Sequence, residues 1–97
     1  MTALDGHRVA LVLQKSPEAD ATIDALADSV VVHDMGSYYK LTSGQDIRVE
    51  MGQVSDELGE PVSLSRWLVV MSSYVGRIET GEDYFTVLTG MPEMGRA

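Results

Sequence analysis

The chain has 97 residues, no cysteine, two histidines and a formal charge of −8. That length supports one domain with a modest core, and the absence of cysteine excludes disulfides, thiolate zinc sites, iron-sulfur clusters and cysteine nucleophiles. The acidic balance argues against nucleic acid or an anionic membrane surface as partner, and no apolar run approaches the roughly 18 residues of a membrane span.

Arg8 to Gln14, RVALVLQ, is an aliphatic run with little alternation and reads as a strand covered on both faces. Ser16-Pro17 then opens a helix, with Ser16 as N-cap, proline at the first helical position and Glu18 favoured by the helix dipole. Ala19, Ile23, Leu26 and Ala27 form its inner stripe, while Asp20, Asp24 and Asp28 face water. Val30 to Asp34 is a second strand, Met35-Gly36-Ser37 a turn, and Tyr38 to Thr42 a third strand. If the first two strands are parallel, their connection is a right-handed crossover. After a turn at Thr42 to Gln45, Ile47, Val49 and Met51 alternate with Arg48 and Glu50 in a fourth strand.

Gln53 to Leu58 reads as a short helix with Val54 and Leu58 inside, Ser55, Asp56 and Glu57 outside, and Gly59 just past its end. Ser63 to Arg66 forms one more helical turn. Trp67 to Ser73 continues that helix or starts a strand, and the pair Val69 and Val70 tips the reading slightly to strand. Arg77 to Glu79, a turn at Thr80 to Asp83, and Tyr84 to Thr89 make a closing hairpin. The expectation is a small single-domain α+β fold: a β-α-β-β-β unit, a short helix and a hairpin, with mixed sheets covered by two or three helices. Residues 1–97 form that domain, with 1–7 and 91–97 as flexible ends.

The stretch VVMSSYVGRI, residues 69 to 78, carries the main chemical question, because its hydroxyls suit a nucleophile, a satisfied local turn, or a surface pressed against something else. Catalysis by Ser72 or Ser73 needs a base, and the histidines are His7, near the terminus, and His33, in a strand. No Gly-x-Ser-x-Gly elbow surrounds the serines. His33-Asp34 lacks metal-ligand spacing, no glycine-rich phosphate cradle occurs, and Glu82-Asp83 falls in a turn. Tyr38 and Tyr39 point to opposite strand faces, although either one with the Gly36-Ser37 turn offers a stacking place for a small metabolite. The dispersed carboxylates read as solvated surface, or as steering toward a positively charged partner. With no export signal in MTALDGHR, the residues lead to a non-catalytic cytoplasmic module that binds a protein or a small ligand.

The run GSYYKL followed by IRVEMGQVSDELGEPVSLSRWLVVMSSYVGRIETGEDYFTVLTGM resembles the regulatory, or coupling, proteins of bacterial soluble diiron monooxygenases. The shared pattern is Gly-x-aromatic-aromatic-x-Leu, a strand, Ser-Asp-x-Leu-Gly, an aliphatic run into Ser-Ser, and Gly-Arg before a hairpin ending in Phe-Thr; VALVLQKSPE matches the family's first strand and helix opening. The nearest likeness is to the soluble methane monooxygenase regulatory component and to alkene monooxygenase coupling proteins. The resemblance implies a cofactor-free, metal-free and non-catalytic effector that binds the diiron hydroxylase, in functional interplay with a reductase, and couples NADH consumption to hydrocarbon oxygenation. It further implies that Ser72, Ser73 and Tyr74 lie on the face applied to the hydroxylase. For Gly76-Arg77 the readings are a turn with a solvated arginine or a charge-assisted contact to a hydroxylase carboxylate. Tyr74 stands where the methane component has a smaller hydroxyl residue, and the first strand begins within about eight residues, so functions placed in a long N-terminal arm are not expected here.

Overall fold

The computed structural model describes residues 8–89. The uninterrupted aliphatic run becomes strand β1 (Val9–Gln14), which occupies the interior of a four-stranded sheet ordered β2-β3-β1-β5. Its Val9, Leu11 and Leu13 are buried in the core. Helix α1 (Pro17–Leu26) starts as its sequence dictates: Ser16 is extended and its hydroxyl accepts from the Ala19 N–H at 3.0 Å. Ala19, Ala21, Thr22 and Leu26 face inward. Ala27, expected on the inner stripe, is instead the exposed C-cap.

Strands β2 (Val31–Asp34) and β3 (Tyr38–Ser43) follow, and both β1 and β2 pair antiparallel with β3. The first two strands therefore run in the same direction with β3 inserted between them. Strand β4 (Ile47–Glu50) leads directly into α2 (Met51–Leu58). Met51, expected as the last strand residue, is thus the first helical one, although its N–H still donates to the Asp83 carbonyl at 2.8 Å, one step beyond the Glu50–Tyr84 pair of the β4–β7 ladder. The helix ends at Gly59, whose left-handed φ of 86° lets its N–H bond the Ser55 carbonyl. Ser55, expected on the outer side, is half-buried, and its hydroxyl donates to the Met51 carbonyl and accepts from the Val62 N–H.

The next segment corrects the sequence reading. Helix α3 spans Leu64–Val70, so Trp67 to Val70 are helical, and the strand β5 begins only at Met71 (Met71–Val75). Ser63 caps the helix by accepting from the Arg66 N–H at 3.1 Å, and Trp67 sits fully buried in its middle. That burial overrides the strand preference of Val69 and Val70, since tertiary packing outweighs propensities of a few tenths of a kcal/mol. Strands β6 (Arg77–Thr80) and β7 (Tyr84–Leu88) form the expected hairpin, and with β4 they make a second sheet ordered β4-β7-β6.

The expected α+β architecture is borne out, but every strand pairing is antiparallel where mixed sheets were expected. One core unites the two sheets and three helices around Trp67, Phe85, Leu11, Leu13, Leu41, Ile47 and Val54. Each such side chain contributes about 1.5–3 kcal/mol of transfer free energy. The ends read as flexible, 1–7 and 91–97, lie outside the described residues.

Candidate functional site

Strand β5 is an edge of the first sheet and β6 an edge of the second, and the single residue Gly76 joins them. Gly76 has φ 134°, and a Cβ there would lie 2.7 Å from Val87 Cγ1 and 2.9 Å from Val9 Cγ1. Only glycine lets the chain leave one sheet edge and enter the other this close to the core. The five residues singled out in sequence, Ser72, Ser73, Tyr74, Gly76 and Arg77, therefore occupy one continuous stretch that runs from an edge strand of the first sheet into an edge strand of the second.

The register explains how these side chains are displayed. Val12 pairs with Ser73 and Leu13 with Met71, so a bulge leaves Ser72 without a partner on β1. Met71 and Tyr74 lie level with the core residues Leu13 and Leu11, whereas Ser73 lies beside Val12 on the opposite face. The Tyr74 ring meets Phe85 edge-on, with centroids 6.2 Å apart, yet the residue remains 39% exposed. Both serines are exposed, and among the described residues neither hydroxyl has a side-chain hydrogen bond. This favours a displayed surface over a locally satisfied turn. Arg77 is exposed and forms no ion pair among the described residues.

Four neighbours missed as site residues extend the stretch: Leu68, Val69 (76% exposed), Val75 (60%) and Ile78. The sequence reading gave them no role, and for Leu68 and Val69 the available signal is the Ser63 cap, which starts the helix on whose exposed side both lie. From Leu68 to Ile78 the one charged side chain is Arg77. Serine, tyrosine and arginine can donate hydrogen bonds, and the aliphatic groups can be buried. The run holds no histidine, aspartate, glutamate or cysteine, the side chains that most often ligate metals or act as general bases.

His33 does not complete a catalytic pair with the serines. It stands on β2, at the far edge of the same sheet, and its Nε2 contacts the Thr42 hydroxyl at 3.2 Å. Three strand spacings of about 4.8 Å put it roughly 14 Å away. His7 lies outside the described residues. Tyr38 and Tyr39 form no common stacking face: Tyr39 lies level with Leu13, under the Lys15 ammonium at 4.9 Å, while Gly36 donates its N–H to Asp34 within the turn. An open cleft of about 600 Å³, lined by Arg8, Ser29, Val31, Thr42 and Asp46 among others, does not include either tyrosine. Among the described residues no three His, Asp or Glu side chains come together to hold a metal ion, and no helix is long and apolar enough to cross a membrane.

Behind the site, α3 is held by a second polar group. Arg66 Nε donates to Glu18 at 2.9 Å and its Nη2 to Glu60 at 2.6 Å, while Nη1 reaches the Pro61 carbonyl at 3.0 Å. The backbone N–H at the helix start, and then Arg66, hold the Glu18 carboxyl below the ordinary glutamate range. Just before α1, a hydrogen bond from Lys15 holds the Asp34 carboxyl low and raises the lysine in turn.

Comparison with known proteins agrees with this architecture. Methane monooxygenase regulatory protein B of Methylosinus trichosporium is 30% identical over 101 residues, spanning 96% of this chain and 73% of that protein. The solved structure of the soluble methane monooxygenase regulatory protein B superposes with a TM-score of 0.65 at 30% identity, covering 88% of this chain and 67% of the other. A chain in the phenol hydroxylase-regulatory protein complex superposes with a TM-score of 0.70 over 84% of this chain and 97% of its own, at 15% identity, a likeness of fold. Residues 7–88 match the MmoB/DmpM family. With its pattern from Gly36 onward, its two antiparallel sheets and its helices all in agreement, the chain belongs to the MmoB/DmpM family of monooxygenase regulatory proteins.

Proposed function

We propose that this protein is a non-catalytic, cofactor-free coupling protein that docks on the diiron hydroxylase of a multicomponent hydrocarbon monooxygenase, using the face from Leu68 to Ile78. The observation that carries the reading is the run itself: eleven residues across a helix end and two edge strands, exposed except at Val70 and Met71, in a chain of net charge −8. Burying Val69, Tyr74, Val75 and Ile78 against a partner supplies apolar area, and Ser72, Ser73 and Arg77 supply directional bonds. An interface of standard size, about 1,600 Å², would include this run and its surroundings.

Such a protein acts by differential binding. If it holds the reactive hydroxylase conformer more tightly than the resting one, it shifts the hydroxylase population toward the reactive state by that free-energy difference. The consequence is control of substrate and oxygen access, tighter coupling of NADH oxidation to oxygenation, and a timing that responds to the reductase. The likeness to the methane enzyme's regulatory protein supports a small hydrocarbon, an alkene or short alkane, as the substrate class, and a cytoplasmic setting suits an NADH-dependent system.

The test is propene epoxide formed per NADH consumed by hydroxylase and reductase from the same source, with and without this protein. A rise in both rate and ratio is expected. No change with partners that respond to another effector would overturn the coupling role.

A further inference from the structure

Helix α3 passes into β5 without a connecting residue: Val70 closes the helix and Met71 opens the strand. The rotation of α3 about its axis therefore fixes the direction in which β5 departs, and with it the display of Ser72, Ser73 and Tyr74. A buried hydrogen bond ties α3 to α1. The indole N–H of Trp67 donates to the Thr22 hydroxyl at 2.9 Å, and that hydroxyl donates its own proton to the Glu18 carbonyl at 2.8 Å. The hydroxyl is thereby oriented, with its proton engaged and a lone pair turned to the indole. Thr22 and Trp67 are both fully buried, so an unpaired indole N–H would have no replacement partner without movement of α3.

The line continues on the far side of the indole. The Trp67 ring is tilted against Phe85 with centroids 5.1 Å apart, and Phe85 meets the edge of Tyr74. Glu18 is tied to α3 twice, through its carbonyl by way of Thr22 and through its carboxylate to Arg66. We propose that Thr22 is a positioning residue for hydroxylase docking: acting through Trp67, it sets the rotation of α3 and, through Phe85, the seat of Tyr74 on the docking face. The proposal rests on the reading of that face given above.

Two substitutions in the full chain separate positioning from mere stability. Thr22→Val keeps shape but removes the hydroxyl, and Thr22→Ser keeps the hydroxyl. Amide hydrogen exchange of the free protein reports on β5, and the concentration giving half-maximal hydroxylase stimulation reports on docking. For Thr22→Val, exchange at the β5 amides bonded to β1 is expected to accelerate about fivefold relative to β3 and β7, as loss of one net hydrogen bond implies. Half-saturation should shift upward by a similar factor with the maximal rate kept, and Thr22→Ser should restore both. Equal acceleration in all strands would make Thr22 a general stability residue and overturn the proposal. Faster β5 exchange with unchanged half-saturation, while Ser73→Arg still raises it, would overturn the proposal and leave the docking face standing. If neither Thr22→Val nor Ser73→Arg alters half-saturation, the docking face itself is refuted and the proposal with it.

Discussion

Among the described residues the four-stranded sheet ends in two edge strands, β2 and β5, and they are built differently. At β2, Val31 and Val32 are exposed, but His33 and Asp34 complete the strand, Lys40 lies opposite His33, and Lys15 pairs with Asp34 at 2.7 Å. Charges placed on a short edge discourage another chain from pairing there. At β5 no charge interrupts Met71–Val75, a bulge exposes Ser72, and the strand runs through Gly76 into the edge of the second sheet. An edge left without charged guards is a liability unless something covers it, and the proposed docking on a hydroxylase would cover this one.

The strongest way to break the comparison is to alter the joint between the two edges. Gly76→Val puts a side chain into Val87 and Val9 at a left-handed φ, and should destabilise the protein by about 2–4 kcal/mol in urea unfolding. Unchanged stability would mean that the β5 to β6 passage is not built as described. Next in size, Ser73→Arg or Tyr74→Glu should weaken hydroxylase binding about tenfold or more, a loss of about 1.4 kcal/mol, with circular dichroism unaltered. Val32→Asp on the β2 edge serves as the contrasting variant, and its titration should overlay that of the unmodified protein. Equal losses at both edges would erase the distinction.

Smaller effects are expected away from the edges. The Thr86 hydroxyl, buried in β7 at the middle of the second sheet, has no hydrogen-bond partner among the described residues. Thr86→Val should therefore raise stability by about 1 kcal/mol, measurable as a higher urea midpoint; a loss of similar size would reveal a bond to that hydroxyl. The Glu18 link to α3 should show as a pH dependence. A carboxyl held below its unfolded value adds stability that is present in full above about pH 4.3 and disappears as the pH falls through the lower native value. Glu18→Gln should flatten that part of the acid unfolding curve slightly, and a curve of unchanged slope would count against the pairing.

What was legible in the sequence was local. The β1 run, the Ser16 cap and Gly59 each announce themselves within a few residues, because strand burial, N-capping and left-handed C-capping use fixed residue types at fixed positions. The helix over Leu64–Val70 was not legible in full, since what outweighs a local pair of valines favouring strand is the burial of Trp67, whose indole bonds Thr22, 45 positions away. Strand order was hidden for the same reason: β2 and β3 form a local hairpin, but only long-range pairing sets β3 beside β1 and so between β1 and β2. At the site, the resemblance drew attention to Ser72, Ser73 and Tyr74, whereas Leu68, Val69 and Ile78 were not singled out, because an aliphatic side chain carries no signature of its own exposure.

The central claim is that the unguarded edge, and not the guarded one, receives the hydroxylase. Amide hydrogen exchange of this protein with and without saturating hydroxylase tests it directly, by comparing residues 68–78 with 31–34. Protection concentrated in 68–78 with little change over 31–34 is the expected result, and protection over 31–34 with 68–78 unaffected would contradict the account.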